Sequence, residues 1–292
     1  MSGKLSIVAT PIGNLEDVTL RALRTLREAS LVLAEDTRRS RKLLNHHGIA
    51  TPLRSFHAYS SQALVEALCA RMEQGEHFAL VSDAGTPLVS DPGAELAAQA
   101  RNRGIRVEAI PGPSAPLAAL CSVGFVTSRF RFVGFLPRSG KRRREFLTNI
   151  AADLDAVVLF EAPSRLHATL EDLSEALGER PVAVCRELTK MHEEVVRGTA
   201  KELAAKFETA RGEITIVISP RAPDEPPEPP DEDALRLQAR AFLDDGLHAK
   251  DIAANFATQY GLVKRDAYQL VLSVKAELAD SPSEKDADAE SE

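Results

Sequence analysis

The chain has 292 residues, of which 44% are hydrophobic, and its formal net charge is −7. This length predicts roughly two domains, and the composition is sufficient for buried cores. No apolar run approaches the ~20 residues of a membrane span, and the first residues lack a secretory signal, so we expect a cytoplasmic protein without a membrane anchor. The three cysteines are isolated in the sequence, which disfavours a disulfide framework or a zinc site.

The first 110 residues alternate short apolar runs with helical patterns. Strands are predicted at Leu5–Thr10, Leu31–Glu35, His77–Asp83 and Arg106–Pro111. This alternation is typical of βαβ units around a mainly parallel sheet. We therefore assign residues 1–113 to an N-terminal Rossmann-like α/β domain.

A second series of predicted strands and helices follows the segment Pro111–Pro116, which is rich in proline and interrupts regular structure. Strands are predicted at Arg131–Leu136, Val157–Glu161, Val182–Glu187, Glu194–Gly198 and Glu213–Ser219. Helices are predicted at Lys141–Ala151, Arg165–Leu177 and Lys201–Ala210. The third and fourth strands are too close for an intervening helix, so we expect them to pair antiparallel. Residues 114–220 are assigned to a second α/β domain with a mixed sheet.

The remainder of the chain changes character abruptly. Residues 221–233 are rich in proline and contain six acidic residues from Asp224 to Asp233, which indicates an extended linker. Residues 234–278 predict a small helical domain with a helix–turn–helix rhythm that breaks at Gly261. Residues 279–292 have the composition of a disordered acidic tail.

Charge is distributed unevenly along the chain. From Arg221 onward there are 17 acidic and 8 basic residues, whereas 26 acidic and 28 basic residues precede that position. The positive charge of the main body forms two clusters. They consist of Arg38, Arg39, Arg41 and Lys42, and of Arg138, Lys141, Arg142, Arg143 and Arg144. Such clusters suit a polyanionic partner, although they also occur as solvated helix faces.

Three loops rich in glycine and proline follow predicted strands: Thr10–Asp17, Ser82–Gly93 and Pro111–Pro116. Ligands of open α/β sheets bind at the carboxyl ends of the strands, so the three loops together predict a site. Neither a dinucleotide fingerprint nor a P-loop is present. The loops offer backbone groups, small hydroxyls and the Asp83 carboxylate, which suits a polar, cation-bearing ligand without phosphate.

Eight segments in chain order carry a resemblance to a known family. They are IVATPIGNLEDVTLRALRTLREASLVLAEDTRRSRKLL, VSDAGTPLVSDPG, IPGPSA, FVGFLPRSGKRRREFL, FEAPSRL, RELTKMHEE, RGT and GEITIVI. They resemble the ribosomal RNA small subunit methyltransferase I family, in the tetrapyrrole methylase-like class of S-adenosylmethionine-dependent methyltransferases. The resemblance spans Leu5 to Ser219 and extends to the C-terminal helical domain.

The resemblance implies two α/β domains of the tetrapyrrole methylase type with a cofactor cleft between them, and a homodimer. The implied reaction is 2′-O-methylation of a cytidine in the decoding region of 16S ribosomal RNA, within the small ribosomal subunit. The implied contacts with S-adenosyl-L-methionine are Ile12, Gly13, Asp83, Ala84, Gly85, Thr86, Pro87, Ser114, Ala115, Phe160, Leu188 and Thr215. The expected RNA contacts are Arg38, Arg39, Arg138, Lys141, Arg142, Arg143 and Arg144.

A ribose hydroxyl becomes a good nucleophile as its proton leaves, so a base or a cation near the oxygen should assist the reaction. Metal activation is not expected, because no metal-ligand spacing is present. The polar candidates are Glu35, Asp36, Arg38, Glu161, Arg186, Glu187 and Lys190. We rank Glu187 and Lys190 first, with Arg186 as a second cation and Asp36 behind. Each carboxylate could instead form an ion pair with a neighbouring arginine.

Two positions depart from the family pattern. Ser164 stands where a histidine is expected, and AYSSQ follows His57 in place of an acidic segment containing asparagine. Two other functions remain open for the same residues. One is methylation of a tetrapyrrole or another small molecule by the same fold, which the second basic cluster disfavours. The other is a ligand-sensing regulator that binds nucleic acid, which the acidic linker and tail disfavour.

Overall fold

The computed structural model describes residues 3–89, 91–221, 231–244 and 246–280. The chain divides into two compact units, Met1–Arg221 and Ala222–Glu292. Most of the predicted linker (222–230) and of the predicted tail (281–292) lies outside the described residues. Every described helix is too short or too polar to span a bilayer.

The first sheet contains five parallel strands. They are β1 (Lys4–Val8), β2 (Leu31–Ala34), β3 (Leu53–Ser55), β4 (His77–Val81) and β5 (Arg106–Ile110), in the spatial order β3-β2-β4-β1-β5. Four of the five strands are confirmed predictions. The sequence does not predict β3, because this strand has three residues and none of them is fully buried.

Helices cover both faces of the first sheet. They are α1 (Leu20–Glu28), α2 (Thr37–His46), α3 (Gln62–Glu73) and α4 (Ala94–Asn102). Alternate residues of a strand point to opposite faces. In β4, Phe78 and Leu80 accordingly pack with α3 and α4. Ala79 and Val81 pack with α1 and α2 on the other face.

The second sheet is mixed, as predicted. Its elements are α5 (Ala115–Val123), β6 (Phe130–Phe135), α6 (Gly140–Ala152), β7 (Ala156–Glu161), α7 (Leu166–Leu177), β8 (Pro181–Arg186), β9 (Glu194–Thr199), α8 (Ala200–Lys206) and β10 (Ile214–Ile218). The strand order is β6-β7-β10-β8-β9. Strands β6 and β7 are parallel, whereas β10 pairs antiparallel with both β7 and β8. The predicted antiparallel pairing of β8 with β9 is confirmed.

The two faces of the second sheet are covered differently. Helices α6, α7 and α8 bury one face. Helix α5 covers the other face, and Ile12, from the loop that follows β1, packs into the same apolar cluster. The first loop of one sheet therefore lies against the second sheet, and both sheets contribute to one site.

The second unit has a core of its own. Its helices are α9 (Glu232–Asp244), α10 (Ala249–Tyr260) and α11 (Lys264–Asp280). Leu235, Ile252, Phe256 and Val271 pack together between them. Gly261 follows α10, at the predicted break. The predicted fold class, two α/β sheets followed by a small helical domain, is confirmed.

Candidate active site

The three predicted loops meet at the carboxyl edge of the first sheet. Thr10 and Gly85 exchange two backbone hydrogen bonds, with N–O distances of 2.9 and 3.0 Å. The Thr86 hydroxyl donates to the Pro113 carbonyl at 3.2 Å. The loops that follow β1, β4 and β5 therefore form one continuous surface.

The backbone conformation at position 85 favours glycine. Its φ is +75°, a conformation that side chains with a Cβ rarely adopt. A Cβ at this position would lie 3.4 Å from Ile12 Cγ2 and 3.8 Å from the Pro113 carbonyl oxygen. The loop backbone therefore approaches both neighbouring loops closely.

The first loop also contacts the turn that follows β8. A Cβ on Gly13 would lie 2.6 Å from both Lys190 Cγ and Thr189 Oγ1, and 2.8 Å from the Leu188 carbonyl oxygen. The Asn14 amide donates to Thr189 Oγ1 at 3.1 Å. Glycine at position 13 thus lets two predicted cofactor residues, Gly13 and Leu188, lie side by side. Thr189 lies in the segment RELTKMHEE but is not among the predicted site residues, because nothing in the sequence indicates that its hydroxyl contacts the first loop.

The second sheet contributes a row of three residues on one face. Phe160 in β7 is the register partner of Thr215 in β10, which is in turn the register partner of Cys185 in β8. By strand alternation, Phe160 and Thr215 share the face of Val158 and Val217, which pack in the cluster with Ile12 and Leu188. The Phe160 ring lies 4.9 Å from that of Phe132 and 5.6 Å from that of Phe135. Phe160 therefore belongs to an aromatic wall near the converging loops.

The third loop leads into α5. Ser114 and Ala115 are half-buried where this helix begins, and no described side chain caps its first turn. Backbone N–H groups in that turn therefore remain available to a ligand. Ala84 and Pro87 flank Gly85 and Thr86 in the second loop, so the predicted cofactor residues gather around one region.

Asp83 links this region to the end of β2. Its Oδ1 accepts a hydrogen bond from the Asp36 amide at 2.9 Å, and its Oδ2 lies 3.6 Å from Arg39 Nε. The carboxylate is half-buried. It therefore fixes the start of α2 relative to the second loop. Arg39, a predicted RNA contact, is partly engaged by this ion pair.

Glu187 and Lys190, the predicted catalytic pair, bind each other. Lys190 Nζ donates to Glu187 Oε1 at 2.7 Å and to Glu213 Oε2 at 3.0 Å. The hydrogen bond from Lys190 lowers the pKa of Glu187, and the Glu213 amide acts in the same direction. Burial lowers the pKa of Lys190, but its bonds to Glu187 and Glu213 outweigh burial and raise that pKa overall. Both groups stay charged and stabilise the turn against Gly13, while their catalytic role stays a prediction.

Arg186 and Glu161 lie on the other face of the second sheet. Each is adjacent in its strand to a residue of the row Phe160–Thr215–Cys185, so its side chain points the opposite way. Arg186 Nε lies 3.1 Å from Glu194 Oε2. Glu161 is buried and accepts hydrogen bonds from Arg165 and Thr169, at 2.9 and 2.6 Å. This orientation argues against the predicted catalytic contributions of both residues.

Asp36 is bound to its own helix. Its Oδ1 accepts a hydrogen bond from the Arg38 backbone amide at 2.8 Å. Its Oδ2 accepts a second hydrogen bond from Arg38 Nη2, also at 2.8 Å. The side-chain hydrogen bond from Arg38 is the main reason that the pKa of Asp36 falls to about 2. A carboxylate with so low a pKa is a weak base at neutral pH, which argues against proton abstraction by Asp36.

The second basic cluster surrounds the start of α6. Arg138, Lys141, Arg142 and Arg144 are exposed. Arg143 differs, because only 11% of its side chain is accessible. It donates to Asp172 Oδ2 at 2.7 Å, to the Pro137 carbonyl at 3.0 Å and to Thr169 Oγ1 at 3.0 Å. The predicted RNA contact at Arg143 is therefore disfavoured by its geometry.

The sequence does contain a signal for the inward direction of Arg143. Arg143 precedes Phe146, Leu147 and Ile150 by three, four and seven residues, which is the spacing of one helix face. Those three residues pack into the core of the second sheet.

Among the residues the structure describes, no group of three or more His, Cys, Asp or Glu is arranged to hold a metal ion.

Comparison with known families agrees with this architecture. Residues 4–204 match the family model described as Tetrapyrrole (Corrin/Porphyrin) Methylases. Cobalt precorrin-4 methyltransferase superposes with a TM-score of 0.59 at 21% identity, covering 74% of this chain and 94% of that one. Uroporphyrin-III C-methyltransferase from Thermus thermophilus, solved with S-adenosylhomocysteine, gives 0.54 at 20% identity, with 74% and 97% coverage. At these identities, the likeness shows the fold alone.

Curated relatives are much more similar in sequence. A protein from Thermotoga maritima is 48% identical over 74% of this chain and 98% of its own length. One from Halalkalibacterium halodurans is 42% identical, with 92% and 94% coverage. One from Escherichia coli O157:H7 is 40% identical, with 92% and 95% coverage. All three are named ribosomal RNA small subunit methyltransferase I, which confirms the resemblance. The chain belongs to the ribosomal RNA small subunit methyltransferase I family, within the tetrapyrrole methylases.

Proposed function

We propose that this chain transfers the methyl group of S-adenosyl-L-methionine to the 2′-hydroxyl of a cytidine in the decoding region of 16S ribosomal RNA. The proposal rests mainly on one observation. In this member of the family, the loops that follow β1, β4 and β5 meet close to the face of the second sheet that carries Phe160 and Thr215. The names of the relatives support ribosomal RNA as the acceptor. The sugar hydroxyl and the decoding region follow from the resemblance.

The chemistry of the site fits the proposed cofactor. Phe160, Ile12 and Leu188 provide an apolar wall suited to an adenine ring. The open N–H groups at the start of α5 suit a carboxylate such as that of the methionine part. The carboxylate of Asp83 suits a cationic ligand. When bound, the cofactor supplies a methyl group whose carbon is made electrophilic by the attached sulfonium.

The protein then contributes mainly position and charge. Methyl transfer is an in-line displacement, so holding the acceptor oxygen behind the methyl carbon accounts for much of the acceleration. The Gly13 contact with the turn Leu188–Lys190 fixes the spacing between the two sheets on which this alignment depends. The Glu187–Lys190 pair keeps that turn rigid.

The acceptor surface is proposed to include the exposed cations around the start of α6. Phosphate contacts by lysine and arginine make the logarithm of affinity fall linearly with the logarithm of salt concentration. Arg138, Lys141, Arg142 and Arg144 are accessible for such contacts. Arg38 and Arg39 are exposed at the edge of the first sheet, although each is paired with a carboxylate.

Methylation of a small tetrapyrrole is the main alternative. The two tetrapyrrole methyltransferase structures compared above are 20–21% identical to this chain, whereas the three relatives named for ribosomal RNA are 40–48% identical. The regulator alternative would require ligand binding without methyl transfer. Incubating the protein with methyl-labelled cofactor and, in parallel, small ribosomal subunits, naked 16S RNA and uroporphyrinogen separates the three. We expect label in RNA; label in the tetrapyrrole, or no transfer, would support an alternative.

We further propose an assembled small subunit as the acceptor, a homodimeric enzyme and a cytoplasmic location. The dimer rests on the resemblance alone. Light scattering of the purified protein should give twice the chain mass of 31.6 kDa. The same labelling experiment compares assembled subunits with naked RNA, and faster transfer to subunits is expected.

A further inference from the structure

Glu35 directly follows the carboxyl end of β2, at the edge of the sheet where the loops converge. Strand β2 pairs with β4 so that Ala34 lies opposite Val81, which places Glu35 level with Ser82. Neighbouring strands are separated by about 4.8 Å. The next residue of the chain, Asp36, donates its amide to Asp83. Glu35 therefore lies one strand from the loop that carries Asp83 and Gly85.

The Glu35 carboxylate differs from the other candidates at the site. No hydrogen bond or ion pair between described residues involves its oxygens, and the residue is exposed. By contrast, Asp36 is held by Arg38, and Glu187 is held by Lys190. Asp83 accepts the Asp36 amide. The open oxygens of Glu35 are thus accessible to a hydroxyl group of a bound acceptor.

The surroundings of Glu35 favour its protonated form. Although the residue is exposed, neighbouring protein atoms exclude part of the water around its carboxylate. This desolvation is the largest influence and raises the pKa of Glu35, and Asp83 and Asp91 raise that pKa further. Arg39 and His57 act in the opposite direction but do not cancel these effects. Asp36 and Arg38, the nearest charges along the chain, neutralise each other through their ion pair. A carboxylate with a raised pKa is a stronger base in its ionised form.

We propose that Glu35 is the general base that accepts the proton of the acceptor 2′-hydroxyl. This inference rests on the proposed function and names a residue for it. The Glu35 carboxylate takes the proton while the ribose oxygen forms its bond to the methyl carbon. The bond between that carbon and sulfur breaks, and its electron pair remains on sulfur. The resulting carboxylic acid then releases its proton to water, so charge and atoms balance.

The first test compares Glu35→Gln with Glu35→Asp by single-turnover methylation of small subunits. Glu35→Gln should slow transfer by about 100-fold, because general-base catalysis typically contributes at least this much. Glu35→Asp should restore part of the rate. Cofactor affinity, measured by calorimetry, should stay close to that of the wild type in both variants. Glu66→Gln, on the exposed face of α3, is the matched control and should behave as the wild type.

The second test follows protonation directly. In carbon-13 NMR of the cofactor-free protein, the carboxyl signal of Glu35 is identified by its absence from the Glu35→Gln variant. The pKa of that signal should lie above the ordinary glutamate value of about 4.3. The wild-type rate should fall on the acid side of the same pKa. A Glu35→Gln variant that methylates at the wild-type rate, or a Glu35 signal without a raised pKa, would overturn the proposal. If the wild type itself forms no 2′-O-methylcytidine, the proposed function fails instead.

Discussion

Lys190 donates a hydrogen bond to Glu187 across 2.7 Å and lies against Gly13 of the opposite loop. Breaking this pair should loosen the turn Leu188–Lys190 rather than remove a base. We predict that Glu187→Gln and Lys190→Met weaken cofactor binding by about 10-fold, equivalent to roughly 1.4 kcal/mol. Calorimetry and single-turnover kinetics at saturating cofactor check this. Unchanged affinity with a large loss of rate would instead support the predicted catalytic role of the pair.

Gly85 and Gly104 offer a matched comparison. Their φ values are +75° and +72°, but only Gly85 of this pair has neighbouring atoms within 4 Å of the position that a Cβ would occupy. Alanine at either position should cost about 1 kcal/mol of unfolding free energy through backbone strain. Gly85→Ala should in addition lower cofactor affinity, which titration calorimetry measures. Equal affinities in the two variants would place the Gly85 loop outside the cofactor site.

Arg142 and Arg143 are adjacent in the sequence, but we expect substitution of Arg142 to weaken RNA binding and substitution of Arg143 to lower stability. Arg142→Met removes an exposed cation, so the salt slope of RNA binding should fall by about 0.7 with little change in stability. Arg143→Met removes the hydrogen bonds to Asp172, Thr169 and the Pro137 carbonyl and leaves Asp172 without its ion-pair partner. The unfolding free energy should therefore drop by about 2 kcal/mol. Binding at several salt concentrations and urea denaturation measure the two effects. The assignment would be contradicted by a wild-type salt slope in Arg142→Met.

Asp36 should make the unfolding free energy of the protein depend on pH. Its pKa is about 2 in the folded protein, against an ordinary value of 3.8. Because the folded value is the lower one, the stabilisation is present above about pH 4 and is lost as pH falls toward 2. Asp36→Asn retains a capping oxygen but has no charge, so its stability should fall less steeply over this range. Parallel slopes for the two proteins in urea unfolding at several pH values would refute this.

Much of the fold could be predicted from the sequence because strand and helix periods are local. Strand–loop junctions such as Ser82–Gly93 were identifiable, since glycine and proline mark where regular structure ends. The directions of Arg186 and Arg143 could not be read from charge, because strand alternation and helix phase decide which side a residue faces. The hydrogen bond between Glu187 and Lys190 could not be predicted either. It depends on a tight turn in which Glu187 has a φ of +52°, and no residue of the sequence indicates that conformation.

The most direct test of the proposed function is the chemical identity of the product. Small ribosomal subunits that lack methylation in the decoding region are incubated with the protein and cofactor, and their 16S RNA is digested and analysed by mass spectrometry. We expect a 2′-O-methylcytidine within the decoding region, and this modification also makes the adjoining phosphodiester bond resistant to alkali. A methyl group on a base, on another nucleotide, or absent from the RNA would contradict it.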